Sequence, residues 1–292
     1  MSAPSGIGLA AGQAQALRRY YGASTGRFLR FGGSGASLAI HRGLWPKGVT
    51  SAEAAAAEIN ERVVARLDRH GITSPDLLRD LGCGVGGSLF RFAAAWPQTQ
   101  LEGLTLSARQ ADMARRFTRE RGLGDRVTIR CADFLKPPEG PSADVAVAIE
   151  SHLHAPSAAA FFAAARAGLR QGGHLVIVDD MLAKPEADLT PAEARCLETF
   201  RRGWHLGHVP DLAALNGAAA AQGFAIRHDE DLTPLLRLDR LRDRALRVAG
   251  PLADAAGLGR WPLFSNMIGG NALTVGYLRG LMRYRLILLE AL

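Results

Sequence analysis

Lysine is almost missing from this chain of 292 residues. Lys47, Lys136 and Lys184 are the only three, and arginine supplies the rest of the basic charge. The 35 basic residues exceed the 28 acidic ones, for a formal net charge of +7. An arginine-for-lysine bias together with alanine runs fits a GC-rich genome. A mildly basic, solvated surface then accounts for the charge without an electrostatic partner. Cysteine is also scarce. Cys83, Cys131 and Cys196 are odd in number, far apart and without C-x-x-C spacing, which excludes a disulfide framework and a zinc site. The apolar runs fall short of the roughly 18 residues that a membrane span needs. The first residues, MSAPSGIGLAAGQAQALRRYY, lack the basic start and apolar core of a signal peptide. The expectation is a cytoplasmic protein with no membrane span. With 48% apolar and 22% charged residues, wholesale disorder is excluded and a substantial core is available.

From Leu77 the pattern becomes regular. Leu77–Leu81, Gln100–Leu106, Val127–Cys131, Val145–Ile149 and His174–Val178 read as apolar strands. Helical stretches at Leu89–Ala95, Ala108–Arg121 and Ala158–Leu169 separate them. This alternation predicts a parallel sheet covered on both faces. Its ligand is expected at the carboxyl ends of the strands. Before it, Thr50-Ser51-Ala52-Glu53 opens a helix that runs to about Arg69 and is closed by Gly71. After Asp180 the rhythm breaks. Thr190-Pro191 starts an inserted helix ending near Trp204. Asp211–Gln222 and Phe224–His228 add a helix and a strand, Leu235–Leu281 is mostly helical, and Tyr284–Leu289 is a last strand. The expected architecture is a single α/β domain over 1–292: a Rossmann-like, doubly wound, seven-stranded sheet. A helical cap is expected from residues 1–50, 183–210 and 235–281. Arg79 stands where a strand wants an apolar residue, which predicts a sheet-edge or snorkelling position.

The central motif is Asp80-Leu81-Gly82-Cys83-Gly84-Val85-Gly86. Glycines let the backbone approach a ligand closely. The helix that follows offers free N–H groups and a positive dipole end to a carboxylate. Gly82, Gly84 and Gly87 satisfy the loose dinucleotide pattern. The acid two residues ahead of Gly82 suits a different ligand, one with an ammonium group and no pyrophosphate.

DLGCGVGG after a strand resembles the first motif of class I S-adenosylmethionine-dependent methyltransferases, and the resemblance covers residues 77–182 well. It implies that Asp80, Gly82, Cys83, Gly84 and Gly86 bind the cofactor. Gly103-Leu104-Thr105-Leu106-Ser107-x-x-Gln110 is similar to the GxTLSxxQ segment of the branch holding cyclopropane-synthase-like enzymes and prenyl-diphosphate C-methyltransferases. Many relatives carry an acid there for the ribose hydroxyls. Here Thr105 stands instead, and the resemblance implies Thr105, Leu106 and Gln110 in its place. Asp133 and Phe134 follow the third strand, where the family uses an Asp on the adenine amino group. Tyr20-Tyr21 and His41-Arg42-Gly43-Leu44-Trp45 resemble the YYD and H-x-G-Y-W segments that fold over the cofactor. Gly22 and Leu44 replace the family's aspartate and tyrosine. Tyr21 is assigned to the cofactor, and Tyr20, Trp45, Trp204 and Arg260 to the substrate.

Methyl transfer from a sulfonium is an in-line displacement that asks chiefly for proximity and orientation. Glu150, at the end of the fourth strand in Glu150-Ser151-His152-Leu153-His154, matches a glutamate thought to act on a carbocation in the prenyl-diphosphate enzymes. It stabilises such a cation and takes its proton, or else it caps backbone or holds the cofactor ammonium. His152 and His154 alternate in direction, and His154 is the candidate base. Asp179-Asp180 is suited to a metal beside a diphosphate, or to orienting a base. The specific expectation is C-methylation of a prenyl diphosphate, a terpenoid precursor, with Mg2+ if the substrate is a diphosphate and with cyclisation open. The alternatives are O- or N-methylation of a natural product, or binding of S-adenosylmethionine without catalysis. The partner is a small molecule, and a homo-oligomer is compatible with this reading. Nucleic acid is not expected, because no Asn/Asp-Pro-Pro-Tyr/Phe motif for a flipped base is present.

Overall fold

The computed structural model describes residues 38, 41–136, 139–238 and 262–292. Seven strands form one sheet: β1 (Leu77–Leu81), β2 (Gln100–Thr105), β3 (Val127–Cys131), β4 (Ala143–Ile149), β5 (Leu169–Leu182), β6 (Phe224–Asp231) and β7 (Met282–Ala291). Their order is β3-β2-β1-β4-β5-β7-β6. β1 to β5 pair in parallel. β7 departs from the all-parallel expectation: it slots between β5 and β6 and runs antiparallel to both. The chain leaves β1 in one direction through β2 and β3, then returns to place β4 on β1's other side. That reversal opens a crevice at the carboxyl ends of β1 and β4.

The helices are α1 (Ala52–Arg69), α2 (Gly87–Ala95), α3 (Ala108–Glu120), α4 (Ala158–Gly168), α5 (Pro191–Trp204), α6 (Leu212–Ala220) and α7 (Pro262–Leu278). Strand alternation divides the core in two. Val145, Val147, Val176, Val178, Leu286 and Leu288 face a layer containing Ile59 and Val63 of α1, Phe92 of α2 and Phe200 of α5. Their neighbours Ala146, Ala148, Leu175, Ile177, Ile287 and Leu289 face Phe161 and Phe162 of α4 and Leu215 of α6. Each central strand is therefore apolar on both sides, which is why its sequence reads as a run.

Local chemistry fixes the helix ends. Ser51 caps α1 by accepting from Ala54 N–H at 3.1 Å, and Gly71 leaves it with φ +81. Thr190 and Glu193 form a reciprocal capping box on α5. α5 crosses α7 through glycines: a Cβ on Gly203 would meet Gly269 Cα at 2.6 Å. Arg79 overturns its expectation. It lies in a central strand, 3% exposed, opposite Glu102 of β2. Its Nε donates to Glu102 at 2.5 Å, and its Nη atoms donate to the carbonyls of Gly168 and Pro141 at 3.0 and 3.1 Å. A cross-strand carboxylate and two carbonyls replace water, so the guanidinium needs no edge.

Among the expected cap segments, residues 1–37, 39–40 and 239–261 lie outside the described residues. Among the described residues, no helix is long and apolar enough to cross a membrane.

Candidate functional site

The turn after β1 is built by backbone that side chains resist. Gly82, Gly84 and Gly86 have φ of +132, +53 and +91. Cys83 N–H donates to Leu104 O at 2.9 Å, and Gly86 N–H to Cys83 O at 2.8 Å. α2 begins immediately afterwards with no side-chain cap, so its first N–H groups remain available to an anion. Asp80 sits beneath this turn, 3% exposed. No hydrogen bond or ion pair reaches its carboxylate from the described residues. Burial alone pushes its pKa up to about 7. The same burial, with Asp80 beside it, holds the Cys83 thiol well above its usual range.

A cleft with about 1070 Å3 of space between atoms, part of it open solvent, lies over the crevice. Asp80, Gly82, Cys83, Gly84, Thr105, Leu106, Gln110, Phe134, Glu150, His154 and Trp204 line it. All eleven were singled out in the sequence. At the end of β2, Thr105 Oγ1 donates to Gln110 Oε1 at 2.8 Å and accepts from Ser107 N–H at 3.3 Å. A neutral hydroxyl–amide pair therefore occupies the place where the resemblance leads one to expect a carboxylate.

Other sequence candidates fall elsewhere. Gly86 shapes the turn as the cap of α2 without lining the cleft. Asp133 does not line it either: its Oδ1 accepts from Leu135 N–H at 3.0 Å and closes a turn. Trp45, expected against the substrate, lies with its ring 3.6 Å from the Arg237 guanidinium and is not part of the cleft wall. The backbone bond from Trp45 N–H to Leu235 O at 2.8 Å holds it there. Tyr20, Tyr21 and Arg260 lie outside the described residues.

On the acceptor side, Glu150 takes φ +51 and turns the chain off β4. Its Oε1 accepts from Arg42 N–H at 3.1 Å, Arg42 Nε at 2.9 Å and Tyr284 OH at 2.8 Å. The Arg42 guanidinium also forks onto Asp180, at 2.9 and 2.5 Å, and contacts the Tyr277 hydroxyl, which donates to Asp180. Burial works against the Arg42 charge, but Asp180 and Glu150 outweigh it and hold its pKa well above the usual value. Sequence reasoning missed Arg42, Tyr277 and Tyr284. Only Arg42 carried a signal, by lying inside the His41–Trp45 segment.

β4 ends at Ile149, and His152–His154 forms a short 3-10 turn. The two histidines still diverge. His154 enters the cleft, where burial lowers its pKa to about 4. His152 is fully buried, with Nδ1 2.8 Å from Asp179 Oδ2 and its ring edge-on to His208 and Phe161. Burial raises the Asp179 pKa, yet His152 overcomes this and the carboxyl stays below its usual range. Asp179 orients an imidazole, as one sequence option had it, but one outside the cleft. The metal option finds both acids engaged by side chains, and no group of three or more ligating residues among the described residues could hold an ion.

Residues 79–173 match a family model described as a methyltransferase domain. The sterol 24-C-methyltransferase of Eremothecium gossypii is 31% identical over 165 residues, 56% of this chain and 44% of that relative. Methyltransferase GfsG of Streptomyces halstedii is 31% identical over 178 residues, 60% of this chain and 63% of its own length. The chain thus spans about half of these curated relatives. A solved structure of geranyl diphosphate methyltransferase, in complex with GPP and sinefungin, superposes with a TM-score of 0.74 at 21% identity, over 97% of this chain and 100% of that one. The chain therefore carries a methyltransferase domain in the Rossmann-like α/β fold of the class I S-adenosylmethionine-dependent methyltransferases.

Proposed function

We propose that the whole chain is one S-adenosylmethionine-dependent methyltransferase of a small specialised metabolite. The observation that carries this is Asp80, a buried carboxylate without a partner among the described residues, beneath a glycine turn. An ammonium group answers that need, and a pyrophosphate would worsen it. The free N–H groups at the start of α2 suit the accompanying carboxylate. Thr105, Leu106, Gln110 and Phe134 would hold the nucleoside. Bound there, S-adenosylmethionine supplies a methyl group on a positively charged sulfur. The protein's own part is to fix the acceptor against it, exclude water and manage the acceptor's proton.

For the acceptor, the favoured reading is C-methylation of a prenyl diphosphate. Glu150 Oε1 takes three hydrogen bonds and Oε2 takes none from the described residues. Glu150 lines the cleft, and an oxygen unpaired among the described residues would stabilise an alkene-derived cation and accept its proton. Ile149, Leu38 and Trp204 add apolar wall. No arginine or lysine among the described residues lines the cleft; Arg260, the sequence candidate for the diphosphate, lies outside the described residues. α5 and α7, which bring Trp204 to the cleft, act as part of a helical cap. One observation favours O- or N-methylation instead: His154 is in the cleft and uncharged near pH 7, as a general base must be.

Labelled cofactor incubated with prenyl diphosphates, neutral polyenes, phenols and amines decides between them. The expected result is label in a prenyl diphosphate, with a roughly 100-fold or greater loss of rate in Glu150→Gln. Label only in phenols or amines, lost in His154→Ala and kept in Glu150→Gln, would establish the second reading.

A further inference from the structure

We propose that the Ser151 hydroxyl is a second anchor for the amino-acid end of the cofactor, working beside Asp80. This deepens the cofactor reading above and rests on it. Ser151 is 5% exposed, and its Oγ is buried with no hydrogen-bond partner among the described residues. It lines the cleft. A buried hydroxyl on a cleft-lining residue, unpaired among the described residues, is suited to a ligand, since an orphaned polar group otherwise weakens the fold.

Its position identifies which end of the ligand. Glu150 N–H still pairs with Val178 O at 2.8 Å, and the left-handed backbone at Glu150 then swings Ser151 across the crevice. There its side chain lies against the Cα of Gly82: a Cβ on Gly82 would meet Ser151 Cβ at 2.5 Å and Oγ at 2.9 Å. Gly82 is two residues from Asp80 and opens the turn. Ser151 therefore belongs to the half of the cleft that Asp80 occupies, while its neighbour Glu150 serves the acceptor half. The chemistry is complementary. A carboxylate only accepts, so Asp80 can take one ammonium proton and offers nothing to a ligand carboxylate. A hydroxyl both accepts and donates, so Ser151 can accept a further ammonium proton or donate to the carboxylate of the same zwitterion. Gly82 is required for this as much as for the turn, because any side chain there would displace the hydroxyl.

Calorimetry with two ligands tests the assignment. S-adenosylhomocysteine carries the amino-acid end; 5′-methylthioadenosine keeps the nucleoside and thioether and lacks it. Ser151→Ala, and the volume-conserving Ser151→Cys, should weaken S-adenosylhomocysteine binding by about tenfold or more. Both variants should bind 5′-methylthioadenosine as the wild type does, which also reports that the site has folded. Equal losses for the two ligands, or no loss for either, would overturn the proposal. Wild-type protein that binds neither ligand would overturn the cofactor reading beneath it.

Discussion

Asp80 has a folded pKa near 7 against an ordinary 3.8, and the sign of its effect follows. Below pH 3.8 the group is protonated in both the folded and unfolded chain and no penalty arises. As pH rises from about 4 to 7, the native state retains a proton that the unfolded state releases, so stability falls and stays reduced above 7. Asp80→Asn should therefore melt at a higher temperature than wild type at pH 8 without ligand, and the gap should close towards pH 4. The same variant should bind S-adenosylhomocysteine more weakly, which separates a ligand-holding acid from a structural one. Arg42 has the opposite character. Removing it leaves Glu150 and Asp180 facing each other without a counter-charge, so Arg42→Ala should lose about 3 kcal/mol or more in urea titration. Arg42→Lys should recover only part, because an ammonium cannot fork. The sequence disclosed these residues unequally. Asp80 and Glu150 are marked by adjacent glycines and a strand end. Arg42 and Tyr284 reach Glu150 across 108 and 134 positions, a distance over which no local pattern operates.

Elements were legible where their ends carry side-chain chemistry. Ser51, Thr190 and Asp211 cap α1, α5 and α6 and are recognisable from residue type alone. α7 is harder to read: SNMIGGNALTVGYL mixes apolar and small residues, because the helix packs on α5 and β7, partners its own sequence does not specify. Helix glycines show the difference between a required and a spare position. At Gly203 of α5 a Cβ would fall 2.6 Å from Gly269 Cα and 2.7 Å from Ser265 O. These are backbone atoms that cannot swing away. Gly203→Val should cost about 2 kcal/mol in chemical denaturation and lower ligand affinity by shifting Trp204. Gly217, exposed in α6, meets nothing within 4 Å. Gly217→Ala should instead stabilise the protein by roughly 0.5–1 kcal/mol, since only unfolded-state freedom is lost.

At the scale of the whole molecule, net charge and site charge have opposite sign. The chain is +7 overall, yet Asp80 and Glu150 enter the cleft, and among the described residues no lysine or arginine lines it. Arg42, the cation paired with Glu150, is shared between two carboxylates. A global excess of arginine therefore says nothing of what the cleft prefers, because exposed charges are screened beyond about 8–10 Å while enclosed ones are not. The enclosed field favours a positive ligand. Within about 10 Å and at an effective dielectric of about 20, one charge pair contributes roughly 1–2 kcal/mol. S-adenosylmethionine, with its sulfonium, should accordingly bind about tenfold more tightly than the neutral thioether S-adenosylhomocysteine. Glu150→Gln should narrow that ratio while leaving the thioether's own affinity nearly unchanged. Calorimetry on both proteins with both ligands at fixed salt measures it, and an identical ratio in the two proteins would mean that Glu150 does not act on the charge it faces.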